Sequence, residues 1–289
     1  MEATKGYLAP RTLVEAAQFA QDGKATILAG ATDIVPRWTR SLVEEPELIV
    51  DVKGIEELQG VSQANGEVRL GACATISEIE SSPIIQSSAS VLAQAAGRVA
   101  CPQIRNRATI GGNLCNASPA ADTAIPLILL DAVLDLASVS RDGITLREVP
   151  VVDYFQGPGS TILASGEILT SIRFRPLPSG VFTAWDKFGT RPAMEIAVAS
   201  VGIALKMEGK TITHARIGYG SVAPVPMRGC RVEAELMGNP LSAEVIEKCE
   251  DAAREEIAPI TDVRATAAYR REVVGVMLRR MLERAQGAR

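Results

Sequence analysis

The residues best suited to chemistry lie in one stretch, Thr109 to Thr123, which reads TIGGNLCNASPAADT. A Gly-Gly pair stands between hydroxyl and amide side chains, followed by a Ser-Pro turn and a carboxylate. Gly111 and Gly112 carry no Cβ, so the backbone can take positive φ there and bring its N–H groups close to a ligand. Successive N–H groups facing one concavity make an anion site, Thr109, Asn113 and Asn116 can add hydrogen bonds, and Asp122 can accept from a sugar hydroxyl. A nucleotide diphosphate is the guest such a loop suits, although the same residues also spell a long surface turn.

A second stretch favours the ligand. Ile27 to Ile34 reads ILAGATDI: a short apolar run ends in a Gly, and Thr32 and Asp33 stand at the entrance of a helix expected from Ile34. A strand ending this way presents unpaired N–H groups and the positive end of a helix dipole toward a phosphate. Neither loop fits G-x-G-x-x-G or the Walker pattern, which argues against a Rossmann site or a P-loop. Two separate loops on one diphosphate is the expectation.

The elements that must position these loops follow from periodicity. Thr12 with Glu15 spells a capping box before a helix over Leu13 to Gln21, and Thr75 with Glu78 repeats it. Strands are expected at Leu48 to Val52, Val68 to Cys73 and Ala132 to Ala137, with Glu167 to Phe174 as the closing strand of a first domain. Helices are expected at Ser90 to Ala100, ended by Cys101-Pro102, and at Ala124 to Leu130. Asp142-Gly143 is a hairpin signal. Pro176, Pro178, Ser179 and Gly180 read as a linker. Beyond it Val181 to Phe188, Ile196 to Met207 and Thr211 to Tyr219 read as three strands, and Ser242 to Ile257 and Ala265 to Ala285 as helices, an α+β arrangement.

The chain has 289 residues, enough for about two domains. It is 47% hydrophobic and 22% charged, which excludes a disordered chain. With a net charge of −4 and scattered basic residues, neither a nucleic-acid groove nor a polybasic membrane patch is indicated. Arg270, Arg271, Arg279, Arg280 and Arg284 sit at helical spacing and read as a solvated helix face. Arg105 and Arg107 read as facing solvent or a pair within the fold. No apolar run approaches the ~20 residues of a membrane span, and the start MEATKGY is not a signal peptide, so a cytoplasmic location is expected. Five cysteines, Cys73, Cys101, Cys115, Cys230 and Cys249, form no C-x-x-C pair. They argue against a disulfide framework, a zinc site or an iron–sulfur cluster held by this chain. Cys115 reads as a small buried side chain, and no catalytic Ser-His-Asp set or metal cluster is evident.

Taken together, Ala29-Gly30-Ala31-Thr32-Asp33, Thr109 to Asn113, Ala117 to Asp122, Lys187 to Arg191 with Glu195-Ile196-Ala197, Val222-Ala223-Pro224 and Asp262-Val263-Arg264 resemble a known family. It is the FAD-binding medium subunit of the molybdenum hydroxylases, of the carbon monoxide dehydrogenase and xanthine dehydrogenase type, and the likeness covers nearly the whole chain. The resemblance implies a two-lobed FAD-binding domain of the vanillyl-alcohol-oxidase type over 1–175, with lobes of about 1–55 and 56–175. A C-terminal α+β domain over 176–289 would follow, a three-stranded sheet with helices.

By position, the resemblance implies that Ile27, Leu28, Ala29, Gly30, Ala31, Thr32, Asp33 and Ile34, with Thr109, Ile110, Gly111, Gly112 and Asn113, hold the pyrophosphate of a non-covalent FAD. Asn116 and Asp122 would lie by the ribityl or ribose, Leu169 on the flavin or adenine end, and Ala100 along the cleft. Lys187 would lie near the pyrimidine edge of the flavin, where a fixed ammonium stabilises the charge of the reduced ring. Ala31 departs from a second Gly common in relatives, and Pro192 from a second Arg. The lone histidine, His214, lies far from both loops, against a histidyl-linked flavin. Implied partners are a large subunit with the molybdenum cofactor and a small subunit with two [2Fe-2S] clusters, in a dimer of heterotrimers that passes electrons through FAD to an external acceptor. The alternatives are a free-standing FAD-dependent oxidoreductase and a non-catalytic nucleotide-binding module.

Overall fold

Short apolar runs separated by helices build a small parallel sheet at the start of the chain. In the computed structural model, which describes residues 6–21, 23–140, 143–191 and 194–287, β1 (Gly6–Leu8), β2 (Ala25–Leu28) and β3 (Leu48–Asp51) lie in the order β1-β3-β2. Parallel neighbours need crossovers, here the helices Leu13–Ala20 and Ile34–Thr39. Thr12 accepts from the Glu15 N–H at 3.2 Å, as the capping pattern requires. Glu15 in return reaches the N–H of Arg11 at 3.0 Å, one residue before the cap.

The second sheet is antiparallel. Its strands are β4 (Val61–Ala64), β5 (Glu67–Gly71), β6 (Val133–Ser140) and β7 (Gly143–Pro150). After a short ribbon of β8 (Phe155–Gly157) and β9 (Ser160–Thr161) comes β10 (Ile168–Phe174). The order β4-β5-β10-β6-β7 puts the last strand at the centre. The reason is burial: all of Ile168–Phe174 except Arg173 is buried, as a strand covered on both faces must be. Arg173 bonds both oxygens of Asp135 at 2.8 Å and also reaches Glu67 and Glu148. Asp142 lies outside the described residues, but β6 and β7 pair in hairpin register from Val133↔Pro150 to Ser140↔Gly143. Thr75 and Glu78 form the full reciprocal capping box, at 2.7 and 3.1 Å. The Ser90–Gly97 helix stops three residues short of Ala100, which has φ +43°.

The three long strands expected after the linker form as β11 (Phe182–Phe188), β12 (Ala199–Glu208) and β13 (Thr211–Gly220), and a two-residue β14 (Met227–Arg228) extends the sheet to four. One face packs under the helices Ala243–Glu256 and Ala267–Gly287 through Val201, Ile203, Val274, Leu278 and Leu282. The other receives the helix Ala124–Leu129, which follows directly on the Thr109–Thr123 stretch. Gly202 and Gly218 face each other across β12 and β13, and a Cβ on either would come within 2.8 and 3.0 Å of the Ile125 Cγ2. This bare floor lets the helix sit against the second domain's sheet.

Arg270 is a correction to the solvated helix face. It is 3% exposed and donates to the carbonyls of Val198 and Ser221 at 2.6 and 2.8 Å and to Asp262 at 2.7 Å. Arg271 likewise turns inward, onto the carbonyls of Arg254 and Ile257. The Ser221 N–H in turn donates to the Pro119 carbonyl at 2.8 Å, so the C-terminal helix is wired to the A-S-P-A-A-D loop.

Gly202→Ala should lower stability by about 1–3 kcal/mol through overpacking against Ile125, read as a lower denaturation midpoint; an unchanged midpoint would show that the helix does not depend on the bare floor. Asp262 is held down to about 2 by the Arg264 N–H first, with Arg270 and the Ala265 N–H adding to it. A depressed carboxyl contributes stability that is present above its ordinary pKa and disappears as pH falls through the folded value. The unfolding temperature of Asp262→Asn should therefore lie below that of the parent at neutral pH and converge with it as pH falls from about 4 toward 2. A gap independent of pH would contradict the assignment.

Candidate functional site

The two loops meet through backbone. Leu28 ends β2, and at Gly30 the chain passes so close to the approach of the second loop that an added Cβ would lie 2.2 Å from the Arg107 carbonyl oxygen and 2.9 Å from the Ala108 Cα. Ala31 follows with φ +65°, a left-handed conformation that costs a non-Gly residue about 1–2 kcal/mol. A groove of about 360 Å³ opens where the loops converge. All eight residues from Ile27 to Ile34 line it, with Thr109, Gly112, Asn113 and Asn116 opposite. Arg37, Ala108, Cys115 and Gly159 also line it, and the sequence reading missed them as site residues. Arg37 had a faint signal in its position one helical turn after Asp33, which it meets at 3.5 Å. Gly159 is brought in by its N–H to the Ala117 carbonyl, a long-range contact.

The loops divide the work differently from the expectation. Neither Gly111 nor Gly112 has positive φ; both lie in the short helix Ile110–Cys115. Gly111 is small because a Cβ would strike the Ala72 carbonyl at 2.6 Å. The first N–H groups of this helix are already engaged: Ile110 with the Ala74 carbonyl at 3.0 Å, Gly111 with Ala72 at 2.8 Å, Gly112 with the Thr109 Oγ1 at 3.1 Å and Asn113 with the Thr109 carbonyl at 2.9 Å. The amide cradle is therefore on the first loop. Among the described residues, the N–H groups of Gly30, Ala31, Thr32 and Asp33 donate to no protein acceptor. A left-handed residue beside right-handed ones turns successive amides into one concavity. The second loop contributes side chains: the Thr109 hydroxyl, still free to donate, and the amides of Asn113 and Asn116.

The remaining candidates do not line the groove. Ile110 and Gly111 are buried beneath it, Leu169 is 5% exposed in the core of the first domain, and Ala100 packs against that core. Asp122 and Lys187 are brought to each other. The Lys187 Nζ donates to Asp122 at 2.6 Å, to the Arg98 carbonyl at 2.9 Å and to the Glu195 carbonyl at 3.3 Å, so all three of its protons are used. Both side chains are at least nine-tenths buried, and burial raises the Asp122 pKa against the opposing pull of Lys187. The next residue, Thr123, donates its hydroxyl to the Asn113 side chain at 2.6 Å, which joins this ion pair to the groove wall. Cys115 corrects the buried reading: the residue is exposed at the groove, although its Sγ turns inward to the Tyr154 hydroxyl at 3.1 Å, and desolvation pushes the thiol up to about 11. Such a thiol is not a ready nucleophile. Arg105 forms a pair within the fold, with Glu80 at 2.8 Å. Pro192 lies outside the described residues.

Residues 2–177 match the family described as the FAD binding domain in molybdopterin dehydrogenase, and residues 186–285 match the CO dehydrogenase flavoprotein C-terminal domain. The chain is 30% identical over 285 residues to the putative xanthine dehydrogenase FAD-binding subunit of Escherichia coli (strain K12), covering 98% of this chain and 96% of that one. It is 31% identical over 283 residues to the carbon monoxide dehydrogenase medium chain of Hydrogenophaga pseudoflava, covering 96% of each. The structure of carbon monoxide dehydrogenase from the same organism, in a form lacking the Mo-pyranopterin moiety of its cofactor, superposes with a TM-score of 0.93 at 30% identity over 99% of both chains. The fold described above is thus shared along its whole length with a chain of that enzyme. This chain belongs to the FAD-binding medium subunits of the molybdenum hydroxylases.

Proposed function

We propose that this chain holds FAD in the groove between Ile27–Ile34 and Thr109–Asn116 and relays electrons through it. They would come from [2Fe-2S] centres of a small partner subunit and pass to an external acceptor, while a large partner subunit carries the molybdenum cofactor and the hydroxylation site. A dimer of heterotrimers is the assembly that the family likeness favours. The observation that carries the reading is the Gly30 contact: the two loops are close enough to share one dinucleotide, and the first still has unpaired amides to offer it.

The residues fit the group. The amides of Ala31, Thr32 and Asp33 would take the diphosphate, Arg37 would neutralise part of its charge, and Thr109, Asn113 and Asn116 would fix its position across the groove. When bound, FAD accepts two electrons and can release them singly or as a pair, chemistry that no side chain of this chain supplies. Lys187 and Asp122 act one layer back. Through Thr123 they hold Asn113 in place, and removing either partner would leave an uncompensated buried charge. Because the reacting substrate would bind in another polypeptide, this groove does not choose it. The relatives' names, which range from xanthine to carbon monoxide, are consistent with that separation.

Three substitutions test the reading on the purified chain. Arg37→Gln, at a residue exposed on the groove rim, should weaken FAD retention about tenfold while leaving the unfolding temperature of the FAD-free protein unchanged. Gly30→Ala should abolish flavin absorbance, whereas Ala31→Gly should keep the flavin and raise stability by about 1 kcal/mol. Full loading of Gly30→Ala together with Arg37→Gln would remove FAD from this groove. Co-purification of the parent chain with a large and a small subunit, and bleaching of its flavin when the complex receives substrate, checks the electron path. A yellow chain that turns over an organic substrate alone would favour a free-standing oxidoreductase.

A further inference from the structure

A second cavity, of about 370 Å³, lies in the C-terminal domain at the open edge of β13, away from the loops that form the nucleotide groove. Its origin is a gap in edge pairing. β14 covers only Gly218 and Tyr219. Ile217 is served by the Glu233 carboxylate, which accepts from its N–H at 3.0 Å, and by the Gly229 N–H, which donates to its carbonyl at 2.9 Å. Ile212 exchanges bonds with Asn239 and Gly238, both at 3.0 Å. Between them, Ala215 has the same edge orientation as Ile217, because antiparallel pairs alternate and the register with β12 does not shift between the two. Its N–H and carbonyl point into the gap, where among the described residues no protein group meets them.

Two side chains sharpen the picture. The His214 Nε2 is buried and has no partner. Arg228 grips both oxygens of Glu233 through Nε alone, at 2.8 and 2.9 Å, so its two terminal nitrogens remain, one of them 4.0 Å from Asp131. We propose that this cavity binds a small oxyanion, a phosphate or a carboxylate, held by the Arg228 terminal nitrogens and the Ala215 N–H, beside the His214 imidazole.

The donor excess decides the class. The neighbouring carboxylates are already committed, Glu233 to Arg228 and Ile217, and Asp131 to Arg216, so little acceptor capacity is left for a cation. Among the described residues no cluster of His, Cys, Asp and Glu can hold a metal ion. The Ala215 N–H and the Arg228 terminal nitrogens are left to an acceptor from outside the chain, and water is the competing occupant. The charged groups facing His214 are Arg216 on its own strand, Arg228 on β14, Asp131 at the end of the Ala124–Leu129 helix, Glu233 on the Cys230–Leu236 helix, and Lys206 opposite it on β12. Burial, then Arg216, pushes its pKa below the ordinary value. A bound anion would favour the imidazolium and push it back up.

The chain has one histidine, so its imidazole gives a single resonance that can be followed without assignment. Inorganic phosphate and, separately, acetate are titrated against the full chain with labelled histidine. Binding should move the His214 C2 proton saturably and raise its pKa, and whichever anion acts names the source. Arg228→Gln should weaken that response about tenfold or more. Ala234→Phe, which adds bulk at an exposed helix position on the cavity wall, should remove it and serves as the deciding variant if Arg228→Gln does not fold. No saturable shift with either anion would mean that the cavity holds water only. A shift that survives both substitutions would place the anion elsewhere. Either result overturns the proposal.

Discussion

The structure depends on one close approach. Gly30 brings the end of a parallel strand against the Arg107 carbonyl with no space for a side chain, and this sets the width of the groove. Everything that would hold a dinucleotide is arranged around that contact: unpaired amides on one side, hydroxyl and amide side chains on the other. A methyl group at Gly30 would have to displace backbone, not a flexible side chain, so the cost falls on the groove itself.

The rest of the molecule keeps the second loop in register with the first. The short helix Ile110–Cys115 spends its leading amides on Ala72, Ala74 and Thr109, which fixes it to the turn after β5 but leaves it unable to serve an anion as sequence logic suggests. Downstream, the A-S-P-A-A-D loop and the helix that follows it are tied to the second domain three times. Pro119 accepts from Ser221, Asp122 meets Lys187, and Ile125 rests on the glycine floor of β12 and β13. The C-terminal domain is thus part of the scaffold of the groove as well as an appendage to it. Buried Arg270 is the bolt, since it holds Ser221 and Val198 to Asp262 at once.

What could be read from the sequence was local. The capping signature at Thr75 was legible because hydrogen bonds within a few residues determine it, and the strands with clean periodicity and both glycine loops because their residue patterns are local. The family likeness extended that reading to the order of the two domains' elements. Tertiary placement was not legible. The central position of β10 follows from burial on both faces, which a short apolar run does not distinguish from an edge strand. The inward turn of Arg270 depends on carbonyls supplied by Val198 and Ser221, far away in the chain. The same holds for the engaged amide of Gly111, whose acceptor is the distant Ala72 carbonyl, next to the bridge between Thr75 and Thr109. Arg37 and Gly159 join the groove only once separate segments have packed.

A crystal structure of the chain with FAD bound would test the central division of labour most directly, by showing which amides meet the diphosphate. The expected result is that its oxygens accept from the N–H groups of Ala31 to Asp33, with Gly111 still bonded to Ala72 and Gly112 to Thr109. A diphosphate seated on the Ile110–Asn113 amides with those internal bonds broken, or a dinucleotide lying outside the groove, would contradict it.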